Sequence, residues 1–206
     1  MTARSRTLLG VGLFLPLAGL LLAMFACLPA PVGDPEKSSV DEKLVGAWQL
    51  VNADAADKGV GLALLRPYDS HTYYVQYMFS EKKDGVEKVS VLNYKGWLTK
   101  LGDATFITCE TLDNGDYMAP GSEPDRFYWV AKVNVKPDGV TVLPVNPDCP
   151  VVKELKTRET IEAAIKANIE NKDLYSEAMS FKKLGKDQLD IVSEMRKKAN
   201  LGVQVK

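Results

Sequence analysis

Few residues in this 206-residue chain are of the kinds that do chemistry, and their spacing limits what they can do. His71 is the single histidine and directly follows Asp69 and Ser70 in a turn-like run that starts at Pro67. A nucleophile, its base and an orienting carboxylate must converge from separate parts of a fold, and three neighbours in one turn do not. His71 is therefore expected at the surface. Asp113-Asn114-Gly115-Asp116 offers oxygen ligands without the spacing of a calcium loop and reads as a polar turn. One histidine and three scattered cysteines do not make a metal site, and no glycine-rich phosphate cradle occurs. The pattern leads us to expect no catalytic residue, no metal and no cofactor. Cys109 falls in an apolar stretch, where a thiol is shielded rather than activated. With Cys149 it forms an even pair, open to a disulfide in an oxidising compartment or to two buried free thiols.

Charge adds an exclusion. The chain has 26 basic and 27 acidic side chains, a formal charge of −1, and its lysines are interleaved with acids. Nucleic acid binding needs a basic stripe, so no nucleic acid partner is expected.

The N-terminus carries the clearest signal. After Arg4 and Arg6 no charge appears until Asp34, and residues 7–27 are almost wholly apolar. A basic start followed by a long apolar run reads as a secretory signal. At roughly 20 residues the run also has the length of a bilayer-spanning helix, so an uncleaved anchor and ordinary signal cleavage both remain readings of the composition. Residues 28–42 contain Pro29, Pro31, Pro35 and Gly33 with several charges and no apolar period. They read as a solvated tether.

Met24-Phe25-Ala26-Cys27 ends the apolar run, with a small residue just before the cysteine. It resembles the lipobox of bacterial lipoproteins. That resemblance implies a signal peptide over residues 1–26, lipidation of Cys27 and a lipidated N-terminus with a tether over 27–43. It also implies a membrane partner and residence in the bacterial cell envelope. Leu28, rather than an aspartate, follows the cysteine, which in that family's sorting scheme implies the outer membrane, facing the periplasm.

Residues 44–206 are long enough for one domain with its own core. Leu44, Gly46, Trp48 and Leu50 alternate on one face of a strand. Further strands are expected over 60–66, 73–79, 88–101, 104–111, 126–135 and 140–145, the third marked by aromatic and β-branched residues at period two. The alternation of the long 88–101 segment slips at Gly96, where a bulge or bend is expected. Tight turns join the strands, so the arrangement is an antiparallel meander of seven or eight strands, as a sheet or a barrel. Beyond residue 145 the period changes. Residues 157–171 place Ile161, Ala164, Ile165 and Ile169 on one helical stripe, Met179–Phe181 has the pattern of a short strand, and 188–199 forms a last helix facing inward with Leu189, Val192 and Met195. The class is α+β: a β part over 44–145, then a mainly helical part over 146–206 with two or three helices covering one end or mouth of the sheet.

Gly46-Ala47-Trp48 on the first strand resembles the Gly-x-Trp signature of lipocalins and related calycin barrels. The resemblance implies a barrel whose tryptophan packs across the closed end, with an interior that accepts a small apolar or amphipathic molecule. Aromatic candidates for the lining are Tyr73, Tyr77, Phe79, Trp97, Phe127 and Trp129. An aromatic strand face is more often plain core. The function expected is a non-enzymatic, membrane-anchored lipoprotein that binds a small hydrophobic ligand. The alternative is a structural or interaction lipoprotein with a filled β core that docks another envelope protein.

Overall fold

The structure, a computed structural model, describes residues 27–51, 60–83, 86–112, 128–137 and 139–203. The expected signal peptide, the 113–116 turn and Phe127 lie outside the described residues. The strands are β1 (Cys27–Leu28), β2 (Gly46–Val51), β3 (Gly61–Pro67), β4 (Tyr73–Lys83), β5 (Val86–Leu101), β6 (Ala104–Thr111), β7 (Tyr128–Lys136), β8 (Gly139–Pro144) and β9 (Met179–Lys183). Two helices, α1 (Arg158–Ala167) and α2 (Asp190–Val203), flank β9 in the chain.

Strands β2 to β8 form the expected antiparallel meander. β9 then pairs with both β8 and β2, and β7 also pairs with β8, so the sheet closes into an eight-stranded barrel. Closure satisfies the backbone groups that an open meander leaves at its two edges. Alternation along each strand then divides the side chains. Trp48, Leu65, Tyr73, Val75, Ile107, Cys109, Val133, Val140 and Phe181 point inward and pack together. Outward-facing residues are covered by two further layers.

On one side α1 contributes Ile161 and Ile165, which pack with Phe106, Val130 and Leu101 and with the N-terminal segment. Thr157 caps this helix by accepting from the Thr160 amide, and Ala167 ends it, short of the 157–171 span expected. On another side α2 lays Val192 and Met195 on Ala47, Leu62 and Met78. Its Arg196 donates twice to Gln76 Oε1, at 3.1 and 2.8 Å. Leu189, expected inward, precedes the helix and is exposed. The helices therefore cover the outer wall, where the outward apolar residues are, and not an end or mouth.

Residues 28–42 correct the tether expectation. Leu28 and Val32 are 1% and 0% exposed. The Val32 carbonyl accepts from Thr108 Oγ1 at 2.7 Å, Trp97 Nε1 at 2.9 Å and Thr99 Oγ1 at 3.5 Å, and the Gly33 amide donates to Glu162 Oε1 at 2.7 Å. β1 is paired to Tyr128 and Trp129 at the start of β7. The segment is a strap bound to the barrel wall. Its proline-rich composition removes backbone donors without preventing burial, because the partners are distant side chains.

The bulge expected at Gly96 is also absent. β5 keeps one register with β4 from Val86 to Gly96 and one with β6 from Tyr94 to Leu101. Gly96 serves close packing instead. A Cβ there would lie 3.0 Å from Val75 Cγ2 and 3.6 Å from Cys109 Sγ, inside the barrel.

Candidate functional site

The barrel interior is divided along its axis. At the end where β2 begins, Trp48 fills the lumen and its indole N–H donates to the Leu44 carbonyl at 2.8 Å. Lys183 Nζ lies 5.1 Å from the centre of the Trp48 ring, a distance at which a cation is attracted to an aromatic face. Gly46 has φ +141°, and a Cβ there would meet the Lys183 stem at 2.9 Å, so glycine is required two residues before the tryptophan. The strap crosses this end. Ser38 accepts from the Leu98 amide at 3.0 Å and its carbonyl meets His71 Nδ1 at 2.8 Å, while the Asp41 amide donates to the Tyr73 hydroxyl.

His71 is exposed in the β3–β4 turn as expected. Asp69 accepts there from the His71 and Thr72 amides at 2.8 and 2.7 Å, and these bonds hold its carboxyl below the usual range. The carboxylate organises a turn and orients no base.

Beyond Trp48 the interior is not filled. A cavity of about 120 Å³ lies among Leu44, Trp48, Ala63, Leu65, Val75, Tyr77, Tyr94, Ile107, Cys109, Trp129, Val133, Val140, Val142, Met179 and Phe181. None of these carries a formal charge at neutral pH. Burial pushes the Cys109 thiol and the Tyr77 phenol each up to about 12. Tyr94 is raised as well, by burial first and then by Cys109, Cys27 and Tyr77 beside it. Such groups stay protonated at neutral pH, so the cavity presents neither a thiolate nor a phenolate. Neither the Tyr77 nor the Tyr94 hydroxyl has a hydrogen-bond partner among the described residues. The arrangement can hold a neutral apolar molecule and offers it two phenolic hydroxyls.

The strand registers explain which candidates meet there. Tyr73, Gly96, Cys109, Trp129 and Cys27 are successive cross-strand partners, so their side-chain positions share the inner face in one row. Cys27 is thus beside Trp129 at the other end of the interior, and burial raises its thiol. Of the aromatic candidates, Tyr77 and Trp129 line the cavity. Phe79 stacks on Tyr77 with ring centres 5.9 Å apart but does not line it. Tyr73 is fully buried at the closed end, bonded to the strap, and is core.

Trp97 is a clear miss. The unbroken alternation of β5 turns it outward, where it is 2% exposed beneath the strap and edge-on to Tyr128 at 6.2 Å. Tyr94, on the opposite parity, takes the inward place. A strict period-two count from Tyr94 through Gly96 to Leu98 is the signal that separates them.

The three cysteines are free. Cys109 belongs to the interior and Cys149 to the layer under α1. They sit in different core clusters, and no Cys109–Cys149 disulfide is formed in this structure. Among the described residues no three of histidine, cysteine, aspartate and glutamate come together as a metal site, and no helix is long and apolar enough to cross a membrane. No protein-family model, no curated protein and no solved structure matches the chain.

Proposed function

We propose that this chain is an exported bacterial lipoprotein, anchored through Cys27, whose lipocalin-like barrel binds a small, neutral, hydrophobic molecule and has no catalytic role. The observation that carries the reading is the apolar cavity of about 120 Å³ between Trp48 and Trp129. Drug-sized ligands occupy about 300–1,000 Å³, whereas an apolar cavity of about 150 Å³ accommodates benzene. The ligand is accordingly a single ring or the end of a longer chain. Tyr77 and Tyr94 supply its polar contacts, and a group that accepts a hydrogen bond suits both. The lack of any charged lining residue argues against a carboxylate or an amine at that depth.

The smallness of the cavity also favours a second reading: an envelope lipoprotein with an essentially filled β core that works by docking another envelope protein. One experiment separates the two. The full chain, purified from its membrane in mild detergent, is analysed by native mass spectrometry and then titrated with small aromatic compounds while its tryptophan fluorescence, to which Trp48 and Trp129 of the cavity contribute, is followed. A co-purifying hydrophobe or saturable quenching supports the first reading. Clean protein with no response to any of them, together with a single crosslinked envelope partner, supports the second. Anchoring is tested separately by Cys27→Ser, which should release the protein or leave an unprocessed precursor. Unchanged processing and membrane attachment would overturn lipidation.

A further inference from the structure

The barrel has a second concavity, on its outer wall, which the reading of the interior does not use. The outward row of β7 runs Tyr128, Val130, Lys132, Asn134, Lys136. α1 covers the first part of this row, where Ile161 and Ile165 pack with Phe106 and Val130. The helix ends at Ala167, so the rest of the row is left without a helix over it and is polar. Just past the helix, Ile169 reaches the β5–β6 turn: a Cβ on Gly102 would lie 3.7 Å from Ile169 Cδ1. Between this tail, the turn and β7 lies an open groove of about 730 Å³.

Its chemistry is the opposite of the interior's. Lys132 and Lys136 from β7 and Lys166 from α1 line it, against the carboxylates of Asp103 and Glu170. Asn134 adds an amide, and Val135 and Ile169 add apolar surface. Lys132 is not a solvated lysine. Its side chain is 18% exposed, and its ammonium lies 5.7 Å from the centre of the Tyr175 ring. Its carboxylate partner, Glu170, is 3.5 Å away and has 92% of its own side chain in solvent. One long, solvent-screened ion pair neutralises a largely covered ammonium only in part. Lys136 and Lys166 have no ion-pair partner among the described residues. Three ammonium groups against two carboxylates leave the groove one positive charge in excess, which a single acidic group balances.

We propose that this groove is a second ligand site and takes a small organic anion, a carboxylate or comparable acidic group carried on an apolar ring or chain. The acidic group pairs with the Lys132 ammonium in a charge-assisted hydrogen bond and displaces Glu170 towards solvent. The apolar part lies against Ile169 and Val135. The volume falls within the roughly 300–1,000 Å³ of small-molecule sites. This site depends neither on what occupies the interior nor on Cys27.

The test titrates the full chain, labelled with nitrogen-15, with naphthoate and separately with naphthamide, its uncharged counterpart. Naphthoate should shift the amide signals of Gly102, Asp103 and Lys136 saturably, and naphthamide should leave them in place. Lys132→Met should weaken naphthoate binding about tenfold, the loss of one charged contact. Glu170→Gln should tighten it about threefold, because a competing carboxylate at the surface is gone. That second variant changes an exposed side chain, so its result decides the matter if Lys132→Met does not fold. Equal shifts with naphthamide, no saturable shift with naphthoate, or an affinity that Glu170→Gln leaves unchanged would each overturn the site. Naphthoate shifts confined to residues of the barrel interior would overturn it as well.

Discussion

Ala63→Leu tests the cavity most directly. Ala63 lies on the inner face of β3, paired with Trp48 on one side and Tyr77 on the other, and lines the void. Leucine adds three carbons pointing into it. At about 0.8 kcal/mol per buried methylene the gain is at most about 2.4 kcal/mol. Ordering the longer side chain costs about 0.5–1 kcal/mol. A ceiling comes from the void itself: at about 24 cal/mol per Å³, filling all of 120 Å³ is worth roughly 3 kcal/mol. The expected result is stabilisation by about 1–1.5 kcal/mol, a rise in Tm of about 3–5 °C for a domain of this size. Binding of a ring-sized ligand should weaken at least tenfold, equivalent to about 1.4 kcal/mol. Urea unfolding measures the first effect and ligand-induced Tm shifts the second. Destabilisation by more than about 2 kcal/mol, the signature of overpacking, would show that the interior is already full. Unchanged ligand binding would place the ligand site elsewhere.

Thr108→Val removes one of three donors to the buried Val32 carbonyl. It should cost about 1 kcal/mol and speed limited proteolysis within residues 28–45, which a solvated tether would not register. With Cys109 and Cys149 buried and unpaired, both should resist a thiol reagent in the native protein and react in denaturant without reductant. Failure to recover these two thiols would restore the disulfide. At alkaline pH the neutral forms of Cys109 and Tyr77 are favoured by the fold, since burial raises each to about 12 from ordinary values of 9.0 and 10.0. Their contribution to stability is fully present below about pH 9 and is lost as pH rises towards 12. Ultraviolet difference titration should show a late-ionising phenol that disappears in Tyr77→Phe. Tyr94 still ionises late in that variant, so an unchanged number of late-ionising phenols, the loss falling among the ordinary ones, would refute the burial of Tyr77.

The strands and their inward faces were legible because each alternates: Leu44, Trp48 and Leu50, then Tyr73, Val75 and Tyr77, then Trp129, Ala131 and Val133 all reach the interior. The stripe Ile161–Ile165 likewise marked the buried face of α1. Period-two and helical patterns record burial locally, so a single sequence displays them. The 28–45 strap has no such record. Its burial depends on Trp97, Thr99, Thr108 and Glu162, more than sixty residues away in sequence. The site was half legible for the same reason. Tyr77 and Trp129 carried an aromatic signal on a clean alternation, whereas Trp97 and Tyr94 were separated only by whether the ladder ran unbroken through Gly96.

By itself, then, the sequence determined the meander and the amphipathic helices. It also determined where the apolar segment lies in the chain. Only the tertiary structure decided that β9 returns between β8 and β2 to close a barrel, leaving a void above Trp48. It alone placed Cys109 and Cys149 in different core clusters and set Cys27 beside Trp129. The physical reason is that alternation states which side of a strand is buried. It does not state which strand lies next to it, and closure, cavity volume and the position of an anchor all depend on that neighbour.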